Sequence, residues 1–543
     1  MRSLFGRILA WLSTHESWVL AAVILLSAAA FSFNLFSFPY FENDEGTYVS
    51  QAWWFVKYHQ LSPYTYRYDH SPLGWMIIGF WQVISGGPFT FGFSINSGRI
   101  LMLIFHLVSA FFIFKITKRL VPNVWIASGA VLIFSLSPLG LYFQRRVLLD
   151  NLMTTFMLAS IYLLLKDGRN LFSVLVSAIL FGMALLIKET AIFLLPGMIF
   201  LVFVNSLREN RTFALTSWTL TVAMIFSIYI LFAVLKTELL PASWPVTLNR
   251  NPHVSLVEAI SYQVNRGQNH SPLSGFEEFL KTFFDWLRRD PFIILGGLSA
   301  MVINFIAYRK KKNFLAISLL SLSFFLFLLS GKLIINFYII PLLALFSISI
   351  PLALYFIFNS QKKLNFAKNL VPWEIVGVVL VTGFFFFRNT DAYQVNETSK
   401  QKQAVQWAKT HLPESAKIIV DNFAFLDMRE SRNANDKAFA NADFFWNFGY
   451  DPQVRDTKFA GDWQKVDYIM LTHEMVVQMG GGSQDLLLSA FRHSQPVAEW
   501  QPSLGTYLNL EKLISTNGDW VKVYKVGQDR ESFADLITID SRL

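Results

Sequence analysis

The first 388 residues contain long apolar runs that follow one another with only short polar breaks. A helix needs about 20 mostly apolar residues to cross a bilayer, and eleven runs come near that length. They are 17–37, 96–117, 122–141, 148–165, 170–187, 190–206, 213–235, 291–308, 314–330, 333–358 and 372–388. Charged residues make up 15% of the chain, against about 25% in soluble domains. The pattern predicts an α-helical polytopic membrane protein.

Basic residues occur in every second loop between these runs. Lys and Arg are enriched in cytoplasmic loops, so the alternation predicts a cytoplasmic N-terminus and an extracytoplasmic C-terminal segment. The basic residues on the predicted inner side are Arg2 and Arg7; Lys115, Lys118 and Arg119; Lys166 and Arg169; Arg208 and Arg211; Arg309 to Lys312; and Lys362, Lys363 and Lys368. We assign the formal net charge of +9 to these loops and not to a nucleic-acid partner. A cleaved signal peptide is an alternative for the first run, which ends in small residues.

Three longer segments lie on the predicted outer side, at 38–95, 236–290 and 389–543. The last segment has the composition of a soluble domain and alternates strand-like patterns with helical ones. The strand-like runs are 417–421, 466–472 and 520–526, and the helical runs are 402–411 and 484–492. The sequence therefore predicts a transmembrane domain over 1–388 and a soluble extracytoplasmic α/β domain over 389–543.

The first outer segment has helical patterns of its own. Apolar side chains recur at helical spacing after Asp44 and again after the sequence SPLG at 71–74. The second helix would be only about 20 Å long, which is too short to cross a bilayer. Both patterns predict helices that lie in the membrane interface. The aromatic residues expected at headgroup depth are Trp53, Trp54, Trp75 and Trp81.

Three acidic residues, Glu42, Asp44 and Glu45, lie between the first apolar run and these interfacial helices. Asp44 has the position of an N-cap for a helix that starts at Glu45, and the neighbouring acids would favour the helix dipole. A carboxylate in a partly dry interface is also a stronger base than one in water, and such a base can take a proton from a hydroxyl group. Spacing alone leaves both interpretations open.

Several cations fall on the same predicted side of the membrane. They are Arg145 and Arg146 in FQRRVLLDN, Lys188 in LIKETAIFLLP and Lys332 in SGKLIINFYIIP. Structural alternatives exist, because Arg146 is four residues from Asp150, Lys188 is adjacent to Glu189, and Lys332 has the reach to snorkel to the interface. The segment 236–290 contains further basic residues on this side, for which exposure to solvent is the structural alternative. They are Arg250, His253, Arg266 and His270. An anionic lipid headgroup at this face would meet acids, cations and interfacial helices together.

These motifs resemble those of a known superfamily. The motifs are the Asp-Glu pair at 44–45, HSPLG at 70–74, RRVLLDN at 145–151 and KETAIFLLP at 188–196. They are similar to motifs of the GT-C glycosyltransferases, and in particular of the protein O-mannosyltransferase-like and lipid A aminoarabinose transferase-like enzymes. The resemblance covers roughly residues 10–360 and is most specific at Asp44–Glu45 and 69–74.

The resemblance implies a GT-C type enzyme of the bacterial inner membrane, which moves a sugar from a polyprenyl-phosphate carrier to a hydroxyl acceptor with inversion at the anomeric carbon. By position, Asp44 would be the general base and Glu45 would help to orient it. The arginine at 145 or 146, and Lys188, would neutralise the donor phosphate as it leaves. Lys332 is a further candidate for binding this phosphate, from its place on the same predicted side of the membrane. The supporting residues would be His70, Asp150, Arg266 and His270.

Two departures leave the acceptor open as a protein, a glycolipid or a polysaccharide. Family members often have Lys or His followed by Pro-Pro where this chain has His70-Ser71-Pro72, and the MIR domain of eukaryotic protein mannosyltransferases is absent. Divalent metal use varies across the superfamily, and no ligand cluster in this sequence requires a metal. The expected partners are the lipid-linked sugar, the hydroxyl acceptor and membrane lipids, without nucleic acid.

Other functions compete with this interpretation. A transporter would place ionisable residues near the membrane midplane, whereas the charges here gather at one predicted face. A non-catalytic assembly factor would use residues 389–543 to bind envelope proteins, and it would tolerate the loss of Asp44. A polymerase or ligase of envelope polysaccharide would share the chemistry of a base with nearby cations.

Overall fold

The protein is described from a computed structural model of the chain. The described residues are 15–59, 68, 70–167, 169–250, 253–265, 272–307, 312–330, 335–360, 370–432, 436–451, 453–480, 484–501 and 520–527.

The described residues up to 388 are mostly α-helical, and the described part of each predicted apolar run lies mainly on one helix or on two consecutive helical segments. In chain order the helices are α1 (Glu16–Ser32), α2 (Asn43–Tyr58), α3 (Leu73–Ile84), α4 (Ser94–Leu120), α5 (Val124–Leu136), α6 (Pro138–Gln144), α7 (Leu149–Asp167), α8 (Leu171–Ile187), α9 (Leu195–Asn205), α10 (Arg211–Leu235), α11 (Leu256–Asn265), α12 (Pro272–Arg289), α13 (Pro291–Ala307), α14 (Lys312–Leu329), α15 (Ile340–Ser360) and α16 (Leu370–Arg388). The 3₁₀ segments Glu189–Leu194 and Asn336–Ile339 lead directly into α9 and α15.

The helices identify a multi-pass membrane protein. Within the described residues, α4, α10, α14 and the segment Asn336–Ile357 are each long and apolar enough to cross a bilayer. The number rises to six if the bent pairs α5–α6 and α12–α13, with bends of 60° and 111°, each form one span. The predicted helical membrane architecture is therefore confirmed, while the predicted number of eleven spans is not.

Both bends coincide with a proline at the start of the second helix. Pro138 begins α6 and Pro291 begins α13, where the missing N–H of proline costs no helical hydrogen bond. Ser137 caps α6 by accepting a hydrogen bond from Gly140 N at 3.1 Å, and Asp290 accepts one from Ile293 N at 3.0 Å. Ser137 Oγ donates to Asp290 Oδ2 at 2.6 Å, so the two breaks lie side by side at one end of the bundle.

Helix α15 forms the centre of the bundle. Of the apolar span that contains it, 94% is buried, and it packs against α4, α5, α7, α13 and α14. Gly297 of α13 makes the closest approach, because a Cβ atom there would lie 2.2 Å from the Phe346 ring. The glycine allows the two helices to pack at short distance.

Helices α2 and α3 exist as predicted, and two of their tryptophan side chains are buried within the protein. Trp53 and Trp75 are 5% and 1% exposed and belong to the hydrophobic core. Trp81 is half-buried and donates from Nε1 to Ser97 O at 2.8 Å. Helices α2 and α3 pack on each other and on α4 and enclose both indoles, while the headgroup depth of these side chains stays a prediction.

The C-terminal part contains a five-stranded sheet in the order β2-β1-β3-β5-β4. Its elements are α17 (Thr390–Gln394), α18 (Ser399–His411), β1 (Ile418–Val420), α19 (Asn422–Arg429), β2 (Ala442–Phe444), α20 (Phe445–Tyr450), β3 (Tyr468–Thr472), α21 (His473–Gly480), α22 (Asp485–Arg492), β4 (Ser494–Trp500) and β5 (Val521–Val526). Strand β1 is parallel to β2 and β3, whereas β5 is antiparallel to β3 and β4. The three predicted strands and two predicted helices are present; β2, β4 and α19 were not predicted.

The hydrophobic core runs from the membrane helices into the C-terminal part without a break. Residues of α18 and α19, such as Ala404, Val405 and Phe423, belong to the same buried cluster as the membrane helices. A second cluster, which includes Phe448, Ile469 and Phe491, lies on the other side of the sheet. The predicted division at residue 388 coincides with the end of α16, and its status as a domain boundary stays a prediction.

We expect Gly297→Val to lower the thermal unfolding midpoint of the purified protein, because its side chain would overlap the Phe346 ring. Overpacking of this kind costs about 1–3 kcal/mol. Gly377→Val is the matched control, since a Cβ at this helical glycine meets nothing within 4 Å. Equal midpoints for the two variants would contradict the close packing of α13 on α15.

Candidate functional site

The first turn of α2 carries the predicted acidic residues. The helix begins at Asn43 with Glu42 as its N-cap, and Glu42 and Glu45 form a reciprocal capping box. Glu42 N donates to Glu45 Oε2 at 3.0 Å. The interpretation of Asp44 as the N-cap is therefore wrong, because the helix starts one residue before Asp44 and another acid caps it.

Glu45 is fully buried and forms an ion pair with Arg99 at the start of α4. Arg99 donates from Nε to Glu45 Oε1 at 2.9 Å and from Nη2 to Oε2 at 2.8 Å, and Val147 N donates to Oε1 at 3.0 Å. Sequence analysis missed Arg99. The signal was a lone arginine inside an apolar run, which is costly in a membrane unless it has a partner.

Arg146 is 2% exposed and lies above the first turn of α2. Its Nη1 is 2.7 Å from Glu42 Oε2, and its Cζ lies 4.6 Å and 4.3 Å from the ring centroids of Tyr40 and Tyr142. Its Nε and Nη2 have no hydrogen-bond acceptor among the described residues. The alternative pair with Asp150 is wrong, so Arg146 faces the acids of α2 with two donor groups unfilled.

Arg289, at the end of α12, joins this cluster. Its Cζ lies 4.2 Å from the centroid of Tyr142, the same ring that Arg146 contacts, and its Nε is 3.0 Å from Asp285 Oδ2. Two guanidinium groups therefore share one tyrosine at the bend between α12 and α13. The signal in the sequence was the pair Arg288–Arg289 directly before an apolar run, which was not singled out.

Arg145 has a different environment from its neighbour. It donates to the backbone carbonyl oxygens of Ala392 at 3.1 Å, Ala30 at 2.9 Å and Phe33 at 3.0 Å. Its guanidinium thus ties the end of α1 to α17. The geometry favours Arg146 over Arg145 as an anion-binding residue, and the predicted phosphate role of Arg145 stays untested.

Lys188 and Asp150 form a second fully buried ion pair, with Lys188 Nζ 2.6 Å from Asp150 Oδ2. The alternative pair of Lys188 with Glu189 is wrong, because the chain turns into a 3₁₀ segment at Glu189. The ammonium group also lies 4.4 Å from the centroid of the Tyr338 ring. Asp44 is near enough to interact electrostatically with Lys188, so the predicted base and this cation occupy one site.

His70 adds a third pair on the same side. Its Nδ1 lies 3.1 Å from Glu189 Oε2, and Ser71 N donates to Glu189 Oε1. The His70 ring is 6.0 Å from the ring of Tyr48, one turn after Asp44 on α2. The pairs with His70 and Ser71 connect the segment before α3 to the segment after α8.

Three predicted site residues, Lys332, Arg266 and His270, lie outside the described part of the chain. Among the residues that the structure does describe, no group of three or more His, Asp or Glu side chains is arranged to hold a metal ion.

Two carboxyl groups of the C-terminal part approach the acids of α2. Burial raises the pKa of Glu474 to about 7; the hydrogen bond from Gln478 opposes this rise, and the charges of Glu42, Asp421 and Asp44 add to it. Burial also raises the pKa of Asp421 to about 6, against the hydrogen bond from Thr472. Sequence analysis identified neither group, because nothing in the local pattern indicates that β1 and β3 end beside α2.

An apolar groove opens next to the His70–Glu189 pair, between α3 and α10. It encloses about 420 Å³ and includes Met76, Leu186, Ile228 and Phe232, with Lys236 among its lining residues. Ile228 is 51% exposed. The groove therefore places an exposed apolar surface beside the segments that carry the His70–Glu189 pair, because Pro72 and Leu186 are among its lining residues.

The sequence and the fold both match known glycosyltransferases. The model of the dolichyl-phosphate-mannose-protein mannosyltransferase family matches residues 69–235. No curated protein sequence gives a significant match to the chain.

Three solved structures have similar folds. A structure of ArnT from Cupriavidus metallidurans bound to undecaprenyl phosphate aligns with 94% of this chain and 98% of its own, at 13% identity and a TM-score of 0.55. The Archaeoglobus fulgidus oligosaccharyltransferase with zinc and sulfate aligns over 90% of this chain and 72% of its own, at 11% identity and a TM-score of 0.55. The oligosaccharyltransferase AglB from the same organism, with an inhibitory peptide and a dolichol-phosphate, aligns over 91% and 74%, at 10% identity and a TM-score of 0.53. The chain has the GT-C glycosyltransferase fold. The resemblance that the motifs predicted is confirmed, and in this GT-C fold the Asp44 turn lies at the face of the bundle that contacts the C-terminal sheet.

We expect Glu45→Gln to destabilise the protein strongly, because the buried Arg99 would keep its charge without a counter-charge and would retain only its hydrogen bonds to Leu35 O and Tyr40 O. Breaking one side of a buried pair costs about 3–5 kcal/mol. The double variant Glu45→Gln/Arg99→Met should recover part of the loss, since it buries no uncompensated charge. Thermal unfolding measures both, and a single variant as stable as the wild type would contradict the assigned pair.

We expect the stability of Glu474→Gln relative to wild type to depend on pH. The folded protein holds a proton on Glu474 that the unfolded chain releases, so the wild type loses stability as pH rises from about 4.5 to about 7. Glutamine does not titrate. Relative to the difference at pH 4, the free energy of unfolding of the variant should therefore rise by about 1–3 kcal/mol over that of wild type by pH 8. Unfolding midpoints across this range test the sign, and a difference that grows toward acid would contradict it.

Proposed function

We propose that the protein is an inverting glycosyltransferase, which moves a sugar from a polyprenyl-phosphate carrier to a hydroxyl acceptor. The observation that carries this proposal is the state of Arg146, a buried guanidinium with two unfilled N–H groups beside the acidic first turn of α2. A guanidinium binds phosphate oxygens through pairs of parallel hydrogen bonds. The unfilled donors therefore suit a lipid phosphate.

The comparisons and the apolar groove support a lipid-linked donor. One structure of similar fold contains undecaprenyl phosphate and another contains a dolichol-phosphate. The groove between α3 and α10 is apolar and runs to Leu186, two residues before Lys188. In the proposed complex the isoprenoid chain lies in this groove and the phosphate reaches the cations.

Asp44 is the proposed general base. It accepts the proton of the acceptor hydroxyl, whose oxygen attacks the anomeric carbon from the side opposite the phosphate. The new carbon–oxygen bond forms as the bond from the anomeric carbon to the phosphate oxygen breaks, and the bonding electrons leave with the phosphate. This direct displacement inverts the anomeric carbon and requires that base and phosphate lie on opposite sides of the sugar.

Arg146, with Arg289 behind the shared Tyr142 ring, is the proposed charge stabiliser for the leaving phosphate. Preorganised donors in a dry site stabilise such developing charge without reorganisation. Lys188 is a weaker candidate for direct contact, because Asp150 already neutralises it at 2.6 Å. We propose that the Lys188–Asp150 pair sets the electrostatic potential around Asp44. In this proposal Lys332 and Arg145 contribute less than Arg146 to binding the phosphate.

The proposed site works at the extracytoplasmic face, with the N-terminus in the cytoplasm and residues 389–543 outside. The alternation of basic loops supports this orientation. A lipid-linked donor suits that face, since the carrier delivers an activated sugar where soluble sugar nucleotides are absent. The acceptor class, whether protein, glycolipid or polysaccharide, is left to experiment.

The test uses purified protein in lipid nanodiscs with undecaprenyl-phosphate-linked mannose, arabinose or galactose, in which the sugar is labelled. The measurement follows labelled sugar that is released by hydrolysis or transferred to acceptors in a cell-envelope fraction. We expect Asp44→Asn to lower turnover by about 10²–10⁴-fold, the usual contribution of a general base, with binding of undecaprenyl phosphate unchanged. Arg146→Gln should instead weaken that binding by at least about tenfold.

Glu430→Gln is the control, because it removes only an ion pair with Lys57, whose side chain is 43% exposed. Full activity of Asp44→Asn would favour a scaffold without catalysis. Wild-type protein that, in sealed proteoliposomes, moves a lipid-linked sugar from one leaflet to the other without cleaving it would favour transport. Either result contradicts the proposed function.

A further inference from the structure

The first turn of α2 is held from two sides. At 3.6 residues per turn, Asn43, Gly46 and Thr47 share one face of the helix, while Glu45 and Asp44 lie on two others. Glu45 is fixed to the membrane helices through Arg99. The Asn43 face is turned away from that anchor and lies against the start of α19 in the C-terminal part.

Side-chain amides make this second contact. Asn422 Nδ2 donates to Thr47 Oγ1 at 2.6 Å and to Asn43 Oδ1 at 3.1 Å. Asn43 Nδ2 in turn donates to Asp421 Oδ1 at 3.1 Å. Asn43, directly before Asp44, and Thr47, three residues after it, are therefore both bonded to α19 or its N-cap.

The two helices also touch through their backbones. A Cβ at Gly46 would lie 2.1 Å from Asn422 O, so only glycine permits this approach. Asn422 itself is fully buried. The two helices are therefore in direct contact at Gly46 and Asn422.

The start of α19 is anchored to the sheet, at the carboxyl ends of β1 and β3. Asp421 follows β1, caps α19 through Phe423 N at 3.3 Å, and accepts a hydrogen bond from Thr472 at the end of the parallel strand β3. Carboxyl ends of parallel strands lie at one edge of a sheet and commonly face a functional site. Here that edge faces Asn43, next to Asp44.

We propose that Asn422 and Asp421 are positioning residues, which hold the first turn of α2 from the side of the C-terminal sheet and so set the direction of the Asp44 carboxylate. The inference rests on the proposed role of Asp44 as general base. It gives the C-terminal part a function in the reaction beyond folding. A shift of about 1 Å in a reacting group costs about 10²-fold in rate, and the first turn of a helix is otherwise its least constrained part.

Thr47→Val tests the inference with little change in shape. It removes the acceptor of the 2.6 Å bond from Asn422 and leaves the volume of the side chain nearly the same. In the nanodisc assay with the undecaprenyl-phosphate-linked sugar that wild type uses best, we expect kcat to fall by about 10- to 100-fold, with KM for the donor within about twofold. Thr47→Ser keeps the hydroxyl group and should restore kcat to within about threefold of wild type.

Asn422→Ala should lower kcat by a similar factor. If this variant does not fold, the kcat of Thr47→Val is sufficient to test the inference. Glu430→Gln is the control, because it weakens the same interface at the far end of α2 and should leave kcat unchanged. Wild-type kcat in Thr47→Val overturns the inference, as does an equal loss in Thr47→Ser, which would indicate a packing effect.

The failure of this inference is distinct from failure of the proposed function. If wild type transfers no sugar, or Asp44→Asn remains active, the proposed function fails. If wild type is active, Asp44→Asn is inactive and Thr47→Val is normal, only the positioning role fails.

Discussion

The buried ion pair between Glu45 and Arg99 joins three parts of the chain that are distant in sequence. Glu45 belongs to the first turn of α2, Arg99 lies in the second turn of α4, and Val147, which also donates to Glu45, follows the two arginines at 145–146. A buried charge must be fully paired to be tolerated, so this carboxylate fixes the three segments in one arrangement. The distance from Asp44 to Arg146 is set by this link, although neither residue takes part in it.

The other ion pairs at this face differ in how far they are exposed to solvent and in how completely their hydrogen-bond donors are satisfied. Lys188 and Asp150 are fully buried and matched, whereas Glu42 is 24% exposed and satisfies only one N–H group of Arg146. Unfilled donors in a buried guanidinium are costly, and an anion from outside the chain would remove that cost. A site kept in this state is prepared for a ligand that brings its own negative charge.

The sequence predicted the elements of this site far better than its contacts. Apolar run length identified the membrane helices, and the Asp-Glu pair located the turn of α2. Local spacing offered two ion pairs as structural alternatives, Arg146 with Asp150 and Lys188 with Glu189, and neither pair is present. The fold pairs Arg146 with Glu42 and Lys188 with Asp150 instead, since the bend at Pro138 and the 3₁₀ segment after Lys188 redirect the chain.

The C-terminal part shows a second limit of sequence analysis. Its strands at 417–421 and 466–472 were predicted from their strand-like composition, but β2 has only three residues and lies within no recognisable pattern. That Asp421 would meet Asn43 depends on how the sheet docks on α2, a contact across 378 residues. The close approach of Gly46 to Asn422 likewise depends on how the two helices pack. A single glycine within a helical pattern does not indicate which helix will contact it.

The most direct test of the account is the position of the phosphate in a structure of the protein with undecaprenyl phosphate in a nanodisc. The account predicts phosphate oxygens about 3 Å from Arg146 Nη2 or Nε, the isoprenoid chain between α3 and α10, and Asp44 in the same cavity. A phosphate bound at the opposite face of the membrane, or one at this face that leaves the donors of Arg146 unfilled, would contradict it.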